Sequence, residues 1–230
     1  MLVKNYIVVF LFLAFSTLSA QNLIDENGLK QGKWEKKYDW GTTRYTGQFE
    51  NDKEVGTFLF YDQNGKILSK RDYISPGGKA MCTMFDYEEW MHAKGELLGK
   101  KKIGTWYYFA NNGKDTIGIE IFVDGLLEGV QYTYFENGNI TEISNYTDGI
   151  QQGEWKEFFA DGVVNVEGLF KDGKLNGPVV YYFSTGEVRK KGQYKNGLKN
   201  GIWLTYDQRG KVIKKVDQDK LVDKTRLIRR

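Results

Sequence analysis

The chain of 230 residues holds two prolines, one cysteine and one histidine. At average usage roughly 11 prolines would be expected. A single thiol, Cys82, leaves no intrachain disulfide and no cysteine-rich metal site. A single imidazole, His92, excludes multi-histidine zinc or iron centres. Thirty-three basic residues against 30 acidic ones give a net charge of +3. That balance argues against a nucleic-acid partner. No phosphate-binding GxxxxGK[ST] loop, no calcium-loop series and no recurring carboxylate pair is present. No catalytic, cofactor or metal residues are therefore expected, and the chain reads as non-enzymatic. Hydrophobic residues at 40% and charged ones at 27% exclude a disordered polar chain. What is abundant is glycine, with 27 residues where roughly 16 would be expected, and aromatic side chains at 15%. Abundant glycine with scarce proline fits many strands joined by tight turns. Collagen is excluded, because it needs proline and a three-residue period.

The first twenty residues read as an export signal. Lys4 supplies a positive start, Tyr6 to Phe15 are almost wholly apolar, and Ser16 to Ala20 are mostly small and polar. This layout predicts cleavage after Ala20, although Leu18 departs from the small-residue preference. An apolar run near ten residues falls short of the roughly 20 needed to span a membrane. No cysteine lies near the cut to carry a lipid. The expected destination is the periplasm, the cell surface or the medium.

A repeat organises the remainder. Glycine stands two residues before an aromatic in Gly32-Lys33-Trp34, Gly104-Thr105-Trp106, Gly153-Glu154-Trp155 and Gly201-Ile202-Trp203. Equivalent glycines are Gly56, Gly129 and Gly177, and the missing marker falls at Ala80. Eight units of about 24 residues thus start at 32, 56, 80, 104, 129, 153, 177 and 201. Nine residues on stand Gly41, Gly65, Gly113, Gly138, Gly162, Gly186 and Gly210, failing only at Glu89. Further columns hold Gly125, Gly149, Gly173 and Gly197, and Gly47, Gly95, Gly168 and Gly192. These columns absorb 22 of the 27 glycines, so the glycine excess is the repeat itself. A column seventeen residues after each start is mostly aromatic, as in Phe49, Tyr73, Tyr146, Phe170 and Tyr194, with Phe122 one place later after a one-residue insertion.

Each unit reads as a β-hairpin. Asn64-Gly65, Asn112-Gly113, Asn137-Gly138 and Asp161-Gly162 read as two-residue turns, as do Asp124-Gly125, Asp148-Gly149, Asp172-Gly173 and Asn196-Gly197. The segments between them are aromatic and β-branched, as strands favour. Single hairpins are not stable alone, so the expectation is an all-β, elongated, single-layer stack of antiparallel hairpins, on the order of 75 Å long. The assigned organisation is a signal at 1–20, a lead-in at 21–31, repeats over 32–216 and a charged tail or cap at 217–230. The unit 80–103 breaks the pattern at its start and at its turn, and is expected to bulge or to carry a special loop.

The stretch "GEWKEFFADGVVNVEGLFKDGKLNG" at 153–177 carries in full a pattern that is roughly G-x-W-x-x-Y-x-x-x-G followed by G-x-Y-x-x-G, and "GIWLTYDQRG" at 201–210 carries its first half. The unit resembles the variant MORN repeat. That resemblance covers 32 to about 216 and implies a stack of hairpins serving as an interaction scaffold for a protein partner. Some proteins of this kind are described as antitoxins or immunity proteins, which implies a toxin-neutralising alternative. "GTWYYFANNGK" at 104–114 locally looks like the repeats of bacterial choline- and glucan-binding modules. This gives a second alternative, a glycan or choline ligand held on aromatic platforms. The candidate contacts for partner or ligand are Trp34, Trp106, Tyr108, Trp155 and Trp203. Against it stands the use of large rings as the fold's own packing. Lysines recur near the turns, where they could meet an acidic membrane surface or protect sheet edges. Cys82 and His92 together suggest a nucleophile and base, but Cys82 occupies the column of Trp34, Phe58 and Trp106, as a packed residue would.

Overall fold

The computed structural model describes residues 21–220. The proposed signal, its cleavage point after Ala20 and the end of the C-terminal segment lie outside the described residues. In chain order the strands are β1 (Leu23–Ile24), β2 (Lys30–Lys37), β3 (Thr43–Glu50), β4 (Lys53–Tyr61), β5 (Ile67–Tyr73), β6 (Lys79–Phe85), β7 (Met91–Leu98), β8 (Lys101–Phe109), β9 (Thr116–Val123), β10 (Leu126–Leu127), β11 (Gly129–Tyr134), β12 (Ile140–Thr147), β13 (Ile150–Gln151), β14 (Gly153–Phe158), β15 (Val164–Lys171), β16 (Lys174–Tyr182), β17 (Val188–Lys195), β18 (Leu198–Tyr206) and β19 (Val212–Asp217). Every pairing is antiparallel and joins neighbours along the chain. β10 with β11, and β13 with β14, each act as one strand broken before a start glycine. The result is one open antiparallel sheet of 19 strands, a meander of hairpins.

Two kinds of turn lie on opposite long edges. At one edge Asp124-Gly125, Asp148-Gly149, Asp172-Gly173 and Asn196-Gly197 have both residues at positive φ, for example 53° and 88° in the first pair. These are the expected two-residue turns, with Val123 paired to Leu126 across the first. The Asn-Gly turns of the other edge are corrected. Asp62 N–H donates to the Lys66 carbonyl at 2.8 Å, and Gly65 N–H to the Asp62 carbonyl at 3.2 Å. Residues 63–65 therefore form a three-residue loop, and Gly65 alone takes positive φ, at 86°. Gly138, Gly162, Gly186 and Gly210 close equivalent loops, whereas the loop that holds Gly113 has four residues, 111–114, closed by Ala110 N–H to the Asp115 carbonyl at 2.8 Å. In the Gly65 loop the Asp62 carboxylate adds a cap, accepting from the N–H groups of Asn64 and Lys66, both at 2.8 Å. These bonds hold the Asp62 carboxyl below its usual range.

The start glycines have a separate purpose. Gly56 and Gly104, each at φ 63°, and Gly201, at 62°, sit where the ladder slips by two residues. Val55 pairs with Gln48, whereas Leu59 pairs with Thr46. A residue with a Cβ would pay about 1–2 kcal/mol to hold that conformation. Ala80, where the glycine is lost, is also where the slip is lost. The β5–β6 ladder runs without interruption from Ser69↔Met84 to Tyr73↔Ala80. The two residues that the slip would have used lie instead in a four-residue turn, 75–78, closed by Ile74 N–H to the Lys79 carbonyl at 2.9 Å. The expected disruption of this unit is thus confined to its turns. Its hairpin, β6–β7, is intact, and Glu89 takes the glycine's positive φ at 63°.

The core is one row of side chains along one face, since strand side chains alternate between faces. It contains Phe58, Cys82, Trp106, Val179 and Trp203, all 2% exposed or less. The seventeenth-position rings insert between them edge-on, with Phe49 5.2 Å from Phe58, Phe170 5.5 Å from Trp155 and Tyr194 5.3 Å from Trp203 between centroids. Each large residue of the row rests on a glycine of the preceding strand. A Cβ on Gly47 would lie 2.4 Å from Phe58, on Gly95 2.4 Å from Trp106, and on Gly192 2.3 Å from Trp203. Where the row holds the small Cys82, the residue opposite is Arg71 instead of glycine.

Candidate functional site

The row just described decides where a ligand can and cannot be met. Trp106 is 0% exposed and Trp203 is 2% exposed. Neither presents a free ring, so the platform reading of these two is corrected: they are packing, seated on Gly95 and Gly192. Trp34, Tyr108 and Trp155 are only partly buried. Trp34 packs edge-on against Phe49 at 5.7 Å, and Trp155 joins the cluster around Val166, Val179 and Trp203. Tyr108 donates to the Glu120 carboxylate, and burial followed by that bond pushes its hydroxyl well above the ordinary tyrosine range. Cys82 is 1% exposed and packs with Ala93, Leu97 and Trp106. Burial raises its thiol above the usual range, the opposite of what a nucleophile needs.

A single-layer sheet has no second layer to cover its rings, and cations supply the cover. Twelve approaches of a lysine or arginine to a ring occur among the described residues. Most of them lie on this face; Lys191 over Tyr206 lies on the other, and Lys66 over Tyr87 at the loop edge. Their most regular form places a lysine two residues before the start glycine over the tryptophan two residues after it. Lys30 lies 5.2 Å from Trp34, Lys102 4.5 Å from Trp106 and Lys199 4.9 Å from Trp203. The spacing K-x-G-x-W was legible in the sequence, but its meaning was not.

The middle of this face is different. Gln131 replaces the tryptophan and is 5% exposed. Its amide satisfies the broken strand: its carbonyl oxygen accepts from Ile121 N–H at 2.7 Å, and its amide nitrogen donates to the Glu128 carbonyl at 3.1 Å. Beside it opens a hollow of about 330 Å³, bordered by Tyr108, Glu120, Glu142, Ser144 and Tyr146. Glu142 and Glu157 are directly paired across β12 and β14. Burial, then the Glu142 charge, raises the Glu157 carboxyl above its usual range.

The opposite face carries the exposed apolar surface. Tyr107, 43% exposed, pairs with Ile119, and Ile119 with Tyr132, which pairs with Ile143. Thr105↔Ile121 and Val130↔Asn145 form the adjacent row. The two-residue turns beside it end in Leu98, Val123, Leu126 and Ile150, all about half exposed. Charged strands flank this centre, with Lys94 and Glu96 on one side and Glu154, Lys156 and Glu167 on the other. On the three-residue-loop edge, Trp40, Tyr87 and Trp90 are exposed, and Trp40 stacks on Tyr38 at 4.7 Å. Among the described residues no group of His, Cys, Asp and Glu could hold a metal ion, and no helix is long and apolar enough to cross a membrane.

An open stack of hairpins with its rings used internally and an apolar centre on its free face defines a class, the β-hairpin repeat protein. Four segments, 54–75, 127–148, 151–172 and 175–196, match the family described as MORN repeat variant. Each begins two residues before a start glycine, so the matched segments and the assigned units share one phase. The chain therefore carries variant MORN repeats, as the residue pattern implied. Such repeats are generally non-enzymatic binding modules, which supports a partner for this chain. No curated protein matches it. A solved structure titled "Crystal Structure of TarM" aligns at 14% identity over 51% of this chain and 20% of its own, with a TM-score of 0.21. The alignment thus spans a fifth of that protein, and a likeness of this degree carries no argument.

Proposed function

We propose that this chain is an exported, non-enzymatic scaffold that binds a protein partner in the cell envelope through the face centred on Tyr107, Ile119, Tyr132 and Ile143. The supporting observation is the division of labour between the faces. Aromatic residues of one face are consumed by packing and covered by cations. The other face holds a run of half-buried apolar residues, rimmed by lysine and glutamate, which is the composition of a protein-binding patch. A rigid sheet offers this surface with little ordering cost on binding.

The test is site-specific. A photo-crosslinker at Tyr132 or Ile143, in the chain expressed with its own leader, should capture one discrete partner from the envelope. The same probe at Lys191, on the charged part of the same face, should capture far less. Equal capture at all three positions, or none at Tyr132 and Ile143, would remove this face from the account. Export is tested separately, because the exported chain should begin at Gln21. The glycan alternative now rests on Trp40, Tyr87 and Trp90, the rings of the loop edge that are open to solvent. Their replacement by alanine should abolish retention on a polysaccharide resin if that reading is right.

A further inference from the structure

The K-x-G-x-W spacing fails in the unit that starts at Gly129, and it fails at both ends. Leu127 stands where Lys30, Lys102 and Lys199 stand elsewhere, and Gln131 stands in place of the tryptophan. The cation cover of the ring-packed face stops at the same place. Lys102 lies over Trp106, Tyr108 and Phe122, and the next approach in chain order is Arg189 over Tyr181. Among the described residues no lysine or arginine lies over Tyr146, Trp155 or Phe170.

Carboxylates gather in this gap instead. From Tyr108 a row of directly paired residues crosses the face through Gly118 and Thr133 to Glu142 and Glu157. It continues by way of Val166 to Tyr181 and Lys190. The charged residues between its ends are the two glutamates. Glu120, paired with Trp106, adds a third carboxylate beside the row. Lys102 donates to the Tyr108 hydroxyl at 2.7 Å, and that hydroxyl donates to Glu120, so one ammonium stands behind Glu120. Nothing equivalent stands behind Glu142 and Glu157. None of the three glutamates forms an ion pair among the described residues.

The hollow of about 330 Å³ described above opens here, bordered by Glu120, Glu142, Leu127, Ser144 and the rings of Tyr108 and Tyr146. A small organic molecule fits, since roughly 150 Å³ suffices for benzene. Ser144 is 6% exposed and lines the hollow. Gln131, paired with it, spends its amide on Ile121 and Glu128, so the Ser144 hydroxyl has no partner among the described residues. A buried hydroxyl without a partner is uncommon in native folds. Carboxylate oxygens, a free hydroxyl and ring faces together suit a group that carries several donors, no acceptor and a positive charge.

We propose that the hollow binds a small organic cation with an ammonium or guanidinium head, met by Glu142 and Ser144 between Tyr108 and Tyr146. The ligand would supply from outside the cation that the chain supplies itself at Trp34, Trp106 and Trp203. The site lies on the ring-packed face and stands independently of the protein-docking surface proposed above.

The experiment uses the full chain. n-Butylammonium and n-butylguanidinium chloride are titrated against sodium chloride at matched ionic strength, with n-butanol as the neutral control. The readouts are the Ser144 and Gln131 amide resonances and the melting temperature. The organic cations should shift both resonances and raise the melting temperature beyond sodium and butanol. The tighter of the two heads names the ligand class. Glu142→Gln should weaken binding by about tenfold or more, the loss expected for a charge-assisted bond, and Ser144→Ala by about threefold. Lys199→Gln should leave it unchanged. Without ligand, Glu142→Gln should melt no lower than the parent, because it relieves repulsion with Glu157; this separates a lost site from a damaged fold. Leu127→Lys restores the lysine of the other units. It should melt higher than the parent and no longer respond to either cation. A response no greater than that to sodium or butanol, or one kept in full by both Glu142→Gln and Leu127→Lys, would overturn the proposal.

Discussion

Gly95→Ala tests the packing account at a single atom. The added Cβ would lie 2.4 Å from Trp106, a ring that is wholly buried among Cys82, Ala93 and Leu97. Gly95 does not hold positive φ, so the backbone itself accepts alanine. In an open strand that change should stabilise by up to about 1 kcal/mol, by restricting the unfolded chain. Here the indole must move, and overpacking costs about 1–3 kcal/mol. If the ring is expelled, burial on the order of 5 kcal/mol is at stake for an indole of roughly 200 Å². Gly168→Ala is the matched control. Its Cβ would meet Val179 and Leu175 at 3.4 Å, an ordinary contact with a small row residue. Urea unfolding should therefore show Gly95→Ala destabilised by at least 1 kcal/mol, and Gly168→Ala within about 0.5 kcal/mol of the parent or above it. Hydrogen exchange should localise the loss to β7 and β8. The natural exchange of Arg71 for glycine opposite Cys82 adds a second arm. Shrinking Trp106 in the Gly95→Ala background should cost less than the two separate losses together. Equal stabilities for the two alanine variants would refute the seating argument.

Three further outcomes follow from the same geometry. Glu157→Gln should stabilise by roughly 0.2–1 kcal/mol at neutral pH, since Glu142 faces it across the ladder. Because the folded carboxyl is raised, the penalty is full above its titration and absent below the ordinary carboxylate range, so the gain should fade as pH drops towards about 4. Cys82 should resist thiol reagents in the folded chain and react on unfolding, as its burial and raised thiol require. Gly65→Ala should cost about 1–2 kcal/mol from its φ of 86° alone, because nothing lies within 4 Å of the added carbon. Gly65→Asn should recover part of that loss.

The repeat phase, the strand composition and the positions of the turns were legible in the sequence, because glycine columns mark backbone demands that no other residue meets cheaply. The length of the Asn-Gly loops was not, because the dipeptide does not say where the backbone bonds close the loop: they leave three residues at Gly65 and Gly138 and four at Gly113. The column of Gly47, Gly95 and Gly192 was visible as a column, but its reason lies in the next unit, across a strand pairing. The break at Ala80 was also visible. Its meaning, a lost ladder slip with a longer turn, needed the register on both sides. The tryptophans were visible as candidate contacts and turned out to be divided between the core and its margin, because a motif does not say which face of a strand is covered. The apolar centre around Tyr132 carries no marker residue at all. It arises from ordinary isoleucines and tyrosines brought into one row by the pairing of β8, β9, β11 and β12.

The central claim is that the repeat's tryptophans are internal packing and that the surface for binding lies elsewhere. Hydroxyl-radical footprinting of the folded chain measures this at each ring. The expected result is rapid oxidation of Trp40 and Trp90, which are 55% and 48% exposed, with Trp106 and Trp203 protected until the chain unfolds. Oxidation of Trp106 and Trp203 in the folded chain as fast as that of Trp40 would contradict it.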